Sequence, residues 1–420
     1  MRDRGRRIHW PWCCTLWSSH GRGECDDRRR RRRDSQDENR ARNSDSGRCD
    51  SEVIVNKAAF PFIVPDLPRT SSWVPIYESA FETGVYSNFG PLSRELERKL
   101  AERYAVRGYG AVACSSATQG LLAALMERFE PGQAIAFSNF TFAATYQAIR
   151  MAGLVPVPID IDGRTLEMSV DSLSQAINRT QIDGVMPVRP FGLVRDQSEL
   201  VTFCQSKHLP LIFDAAASLG GAQLPLFGSD AGEVEVFSLH ATKTFAIGEG
   251  GVIFAPLDRV EAIRKRLNFG FEADRTYFRG TNGKMDELHA ALALAQLGRI
   301  DEMQAAREKH ARRYDMFFSS VEDAQIPTNV TPGSGWTMYP VIFSKHSAPE
   351  LIAKALEHGI EAKRYYWPTV SSGANDRIDQ FVKLDVSERI ARNIVCFPIY
   401  SLNTEHLVDG LFGELDRLFF

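Results

Sequence analysis

The sequence predicts an α/β protein, with a mostly parallel sheet in a large domain and a smaller C-terminal α+β domain. Two observations predict it. Between residues 110 and 239, six short apolar runs, flanked by Gly, Pro or Asp, alternate with stretches of helical periodicity. Strand, helix, strand repeated in this way implies parallel strands covered by helices. After Gly251 the pattern changes, and residues 284–321 read as a long helix or helix pair that can lead into a second domain.

The N-terminal segment stands apart. Residues 1–50 hold 14 Arg and 9 Asp/Glu, a balance of +5, which leaves −8 on the remainder of a chain whose net charge is −3. Residues 1–55 are expected to form a disordered Arg-rich tail, because so few apolar residues cannot offset the entropy of ordering. The run Arg28 to Arg33 has the composition of a nucleic-acid or targeting signal, and equally of a solvated tail. A start downstream of the tail would need a non-methionine codon near Val53 or Val55, because the next methionine after Met1 is Met126.

The bulk properties exclude several classes. Hydrophobic residues make up 44% and charged residues 25% of the 420, the balance of a globular protein. No run of 18 apolar residues exists, so no membrane span is expected. The net charge gives no general attraction to nucleic acid. Cys114, Cys204 and Cys396 lie far apart without CxxC spacing and read as reduced, buried thiols. A cytoplasmic protein is expected.

The elements follow in order. "PLSRELERKLAERYAV" (91–106) spaces its apolar residues for a helix. The expected strands are "GAVAC" (110–114), "QAIAF" (133–137), "VPVPID" (155–160), "DGVMPV" (183–188), "LPLIFDA" (209–215) and "VEVFSL" (234–239). The large domain is expected over 56–300 and the small one over 301–420.

Ligands of open α/β sheets bind beyond the carboxyl ends of the strands. After "GAVAC" comes "SSATQG", with Thr118 and Gln119 at a helix start. Such a start can hold a phosphate, or the hydroxyls can simply cap the helix. After "QAIAF" come Phe140 and Phe142, either stacking rings or core residues. After "LPLIF" comes Asp214 among small apolar residues, a helix cap or a partner for a bound cation. After "VEVF" come Ser238, His240 and Lys243, ahead of the glycine-rich "GEGG". Burial lowers a lysine's pKa and frees its amine for a Schiff base. Together these groups match the needs of pyridoxal phosphate (PLP).

From about residue 60 onward the chain resembles the DegT/DnrJ/EryC1/StrS family of sugar aminotransferases, within fold type I of PLP enzymes. "FSLHATKTFAIGEGG" (237–251) is similar to the family's lysine signature, and "GTNGKMDELHAA" (280–291) to its interface region; these two are the specific motifs. "LPLIFDAAASLGG", "PFGLVRD", "KRYYWP" and "FPIYSLN" add support. The resemblance implies that Lys243 holds PLP, that Asp214 keeps the pyridine nitrogen protonated, and that Thr118, Gln119 and Ser238 hold the phosphate. It implies that Phe142 stacks on the ring and that Asn282 reaches the phosphate of a neighbouring subunit in a homodimer. No metal is expected. The implied substrates are an amino acid donor, glutamate or glutamine, and a nucleotide-linked keto-sugar. Two positions depart from the family pattern. Ala217 stands where His or Gln usually contacts the cofactor's phenolic oxygen, and Thr369–Val370 follow "YYWP" where His often stands. Two other readings are a PLP-dependent sugar dehydratase, against which Lys243 argues because that activity usually goes with His there, and a non-catalytic PLP-binding regulator or partner subunit.

Overall fold

A computed structural model describes residues 58–219, 233–272, 277–375, 378–401 and 404–420. The expected tail, 1–55, lies outside the described residues. Helix α1 (Thr70–Thr83) leads to α2 (Pro91–Tyr104). Pro91 opens α2, where its missing N–H costs nothing, and Leu96 and Leu100 are fully buried along one face. Each such leucine contributes about 1.5–3 kcal/mol.

The main sheet begins with β1 (Tyr109–Cys114), α3 (Ala117–Arg128), β2 (Ala134–Ser138), α4 (Ala143–Met151) and β3 (Val155–Ile159). It continues through α5 (Val170–Ile177), β4 (Gly184–Met186), α6 (Ser198–Ser206), β5 (Ile212–Asp214) and β6 (Val234–Ser238). It closes with β7 (Gly251–Pro256) and α7 (Leu257–Leu267). One group of strands runs β3–β2–β4 and another β5–β6–β7–β1. Parallel bridges Val185–Leu211 and Val188–Asp214 join them, so seven strands lie side by side.

All expected strands form. Strand β7 was not among the sequence expectations; it runs antiparallel between β1 and β6. It fits there because Gly251 has no side chain: a Cβ would meet Ala117 N and Ser116 C, both at 2.7 Å. The start of α3 is thereby held against the sheet edge where β1, β5 and β6 deliver their ligand-facing residues.

The region 284–321 is a helix pair, α8 (Glu287–Leu297) and α9 (Ile300–Phe318), broken at Gly298. Asp286 caps α8, its Oδ1 accepting from His289 N at 2.8 Å. The buried Glu287 accepts from Leu92 N (2.6 Å) and Ser93 N (3.0 Å), so its charge meets the N-terminus of α2.

A second sheet of three antiparallel strands follows: β8 (Ala324–Gln325), β9 (Tyr339–Phe343) and β10 (Ile394–Phe397), in order β10–β9–β8. Around it lie α10 (Ala348–Glu357), α12 (Asp385–Asn393) and α13 (Glu405–Phe419), whereas α11 (Val370–Gly373) meets the end of β2, Ser371 N donating to Asn139 Oδ1 at 2.9 Å. Its core is aromatic, with Tyr314 stacked 4.6 Å from Tyr339 and Phe318 beside Phe397. Phe60 and Phe62 join this cluster, and Phe60 N donates to Gly359 O at 2.9 Å.

Candidate active site

Lys243 lies in the loop between β6 and β7, whose base is closed by Leu239 N to Gly250 O (2.9 Å) and Ala241 N to Gly248 O (2.8 Å). Its own N–H donates to His240 O at 2.9 Å, fixing the backbone behind the side chain. Burial pulls the Lys243 amine below its ordinary value, and the charge of Asp214 works against that fall. A larger share of neutral amine results at neutral pH.

Asp214 ends β5 and is 5% exposed. Burial pushes its carboxyl up, although Thr145 Oγ1 donates to Oδ2 at 2.6 Å and Ala216 N to Oδ1 at 3.1 Å. Thr141 and Thr145 share a further hydroxyl contact of 2.6 Å. Sequence reasoning found no partner for Asp214 because Thr145 stands 69 residues away, on α4. Asp214 is not a helix cap. It makes no ion pair with a described residue, so a cation in the cleft would complete it.

Lys243 and Asp214 open onto one cleft, with a cavity of about 320 Å³. Thr118, Phe142 and Ser238 line it too, as does Ala217. Ser116 proves to be the cap of α3, accepting from Gln119 N at 3.2 Å, which leaves Thr118 free to face the cleft. Of the two phenylalanines, Phe140 is core and Phe142 is 59% exposed. Ser238 Oγ accepts from His240 N at 3.2 Å.

Two expected residues lie outside the cleft wall. The Gln119 Oε1 is buried without a hydrogen-bond partner among the described residues. Asn282 is exposed, its Oδ1 accepting from Lys284 Nζ at 2.7 Å. Thr281 N to Arg266 O (2.7 Å) and Gly283 N to Leu267 O (2.9 Å) pin the backbone on either side of it.

The cleft also contains residues that sequence reasoning missed. Arg189 is buried against Glu235, with both contacts at 3.2 Å, and its guanidinium lies 4.8 Å from the centre of the Phe213 ring. Tyr366 stacks on Phe191 at 5.4 Å, and burial pushes its phenol well up. Thr337 comes from the approach to β9. The motif "KRYYWP" was a signal for Tyr366, and "PFGLVRD" begins beside Arg189; nothing local marked Thr337.

A seven-stranded sheet carrying a lysine, an aspartate and hydroxyls at its strand ends defines the large-domain architecture of fold type I PLP enzymes. A solved structure from Bacillus cereus ATCC 10987, described as a PLP-dependent aminotransferase, superposes with a TM-score of 0.78 at 25% identity, covering 85% of this chain and 99% of its own. The model of the DegT/DnrJ/EryC1/StrS aminotransferase family matches residues 74–415, and the chain belongs to that family. Among curated relatives, dTDP-4-amino-4,6-dideoxy-D-glucose transaminase of Shigella dysenteriae is 28% identical over 366 residues, 84% of this chain and 97% of its own. GDP-perosamine synthase of Caulobacter vibrioides is 29% identical over 373 residues, 84% of this chain and 99% of its own. The expected fold, family and enzyme class are borne out.

Proposed function

We propose that this chain is a PLP-dependent aminotransferase that moves an amino group from an amino acid onto a nucleotide-linked keto-sugar. The observation that carries it is Lys243 and Asp214 in one cleft, with burial pulling the lysine's pKa down and pushing the aspartate's up. The relatives' names support a nucleotide-linked sugar as acceptor; one names a dTDP-linked and the other a GDP-linked compound.

The residues fit PLP in kind. Asp214 is a buried carboxylate lacking a paired cation, as a pyridinium requires. The start of α3, with Thr118, offers N–H groups and a hydroxyl to a phosphate. The exposed Phe142 offers a ring face, and Ser238 a second hydroxyl. When bound, PLP supplies an electron sink for the C–H bond that breaks.

The protein's part follows from its own groups. Lys243 would hold the cofactor through its amine and, when released by the donor amine, would move a proton between the substrate α-carbon and the cofactor C4′. Asp214 keeps the ring nitrogen protonated, and the Thr141–Thr145 hydroxyl pair orients its carboxylate. Gln119 supports the phosphate end from behind α3. Asn282, presented outward by its pinned backbone, reaches the cofactor phosphate of a second copy, so the working unit is a homodimer. The large domain (56–300) bears the sheet and the small domain (301–420) supplies Thr337 and Tyr366. No described helix is long and apolar enough to cross a membrane, and three described cysteines are free and buried, which supports a cytoplasmic enzyme.

The test combines spectra and mapping. Protein loaded with PLP should be yellow, should bleach on addition of L-glutamate, and after borohydride should carry the pyridoxyl group on Lys243. A label on another lysine, or no spectral response to any amino acid, removes the assignment.

A further inference from the structure

The reactive cavity contains a buried hydroxyl that no part of the fold satisfies. Thr337 is 5% exposed and lines the cavity, and its Oγ1 has no hydrogen-bond partner among the described residues. Other polar side chains on the same wall are engaged. Thr141 is bonded to Thr145, Ser238 to His240 N, and Arg189 to Glu235. A hydroxyl left alone at this depth costs free energy until a ligand completes it.

The backbone that presents Thr337 is held against its own preferences. Phe191 and Trp336 both adopt left-handed φ values, 62° and 35°. Bulky residues rarely accept that region, and such strain gathers at functional sites. The two strained segments are stitched together, with Thr337 N donating to Phe191 O at 2.9 Å and Gly335 N to Gly192 O at 2.8 Å. Trp336 is fixed in turn: its Nε1 donates to Glu308 Oε2 at 3.0 Å, and its carbonyl accepts from Arg307 Nη1 at 2.9 Å. The resulting strap lies directly on the segment after Asp214. A Cβ at Gly192 would meet Ala217 O at 2.6 Å, and one at Gly335 would lie 3.3 Å from the same oxygen. Ala216 and Ala217 line the cavity with methyl groups alone. The strap therefore brings a hydrogen-bonding group to a flank where the segment after Asp214 offers none.

We propose that the Thr337 hydroxyl donates to the phenolic oxygen of PLP and so sets the proton affinity of the Schiff base that Lys243 makes. This rests on the proposed function and adds to it a cofactor contact from the small domain. The assignment follows by elimination. Asp214 answers the ring nitrogen of PLP, Lys243 its aldehyde carbon, and Thr118 with Ser238 its phosphate. The phenolic oxygen is left, and on the ring it flanks the aldehyde on the side away from the phosphate arm. While the Schiff-base nitrogen carries a proton, that oxygen has an internal partner. Once the proton leaves, the oxygen keeps its negative charge and loses the partner. A hydroxyl donor at this point favours the second state and lowers the pKa of the nitrogen.

The experiment follows the visible absorbance of PLP-loaded protein against pH, with no amino acid present. Thr337→Val removes the hydroxyl and keeps the shape, so the midpoint of the colour change should rise by about one pH unit. Thr337→Ser should hold the parental midpoint. Thr337→Ala gives the same reading as the valine if the valine protein fails to fold. A folded, loaded variant without the hydroxyl that keeps the parental midpoint overturns the assignment, even if its PLP affinity falls, because a structural role would weaken binding and leave the titration in place. A serine variant whose midpoint rises as far as the valine's overturns it as well. Borohydride mapping of the same samples separates the two readings. A pyridoxyl label on Lys243 with an unmoved midpoint defeats the Thr337 contact alone. A parent protein without that label defeats the aminotransferase reading and the contact with it.

Discussion

The reactive cleft and the contact between α2 and α7 bury carboxylates to the same depth, yet treat them differently. Glu97 and Asp214 are each 5% exposed. Glu97 meets Arg264 through bonds of 2.8 and 3.0 Å and also accepts from Ala113 N at 3.0 Å. Asp214 receives one hydroxyl and one amide, and its nearby cation, Lys243, makes no ion pair with it. The first region is complete within the chain. The second is not, and burial raises the Asp214 carboxyl accordingly. Equal burial with unequal compensation distinguishes a structural charge from one arranged for a ligand.

The comparison can be broken by exchanging what each carboxylate needs. Asp214→Asn should leave the fold intact and slow glutamate bleaching by about 10³-fold, because the ring nitrogen loses its charged partner. Near-parental rates in a folded Asp214→Asn protein would falsify its role. Arg264→Ala should act in the opposite sense, lowering stability by about 3 kcal/mol because Glu97 is left buried without its cation. Its folded fraction should bleach at the parental rate; a denaturant series with matched kinetics reads both.

Thr145→Val should be milder. Loss of the 2.6 Å bond lets the Asp214 carboxyl rise further, so the acid limb of the bleaching rate should move to higher pH and the neutral rate fall by about tenfold. Thr145→Ser should restore the profile, and a Val variant with an unmoved limb removes the hydroxyl from the account.

The smallest effect concerns the cofactor-free protein. The folded pKa of Asp214 is raised, so its stabilising contribution is present below the unfolded carboxylate value and is lost as pH rises through the folded one. Asp214→Asn should therefore melt a few degrees higher than the parent at neutral pH, by about 1 kcal/mol, and lose that advantage in acid. A variant that melts lower at neutral pH, with its parental fold retained, shows that the carboxylate is not strained.

Much of this was legible in the chain. The six parallel strands announced themselves as short apolar runs, and the residues after four of those runs located the cleft, although Arg189, directly after a fifth, was passed over. Lys243 and Asp214 were identifiable because each stands at a strand end in a setting that a surface residue does not need. What escaped was non-local. β7 follows directly on a glycine-rich stretch and pairs with β1, whose start lies 142 residues earlier at Tyr109, opposite Pro256. Such a partner leaves no mark in a local window. Thr145 looked like an ordinary helix residue until the fold brought it to Asp214. Phe140 and Phe142 were indistinguishable by sequence, since both lie in the connection between β2 and α4, and only the fold buries the first and leaves the second, at the N-cap of α4, facing the cleft.

The antiparallel β7 has a kinetic consequence. It returns the chain beside β6, so the segment carrying Lys243 is clamped at both ends, with Ile247 N also bonded to Leu239 O at 2.9 Å. In the proposed reaction the lysine would leave and rejoin its target in every cycle, and the clamped backbone would leave that movement to side-chain torsions. Side-chain rotations at exposed positions take picoseconds to nanoseconds, so even a rotation slowed many-fold by burial outruns ordinary enzymatic turnover. The pivot stays put while the arm swings, so the return of the amine should never set the pace of the cycle.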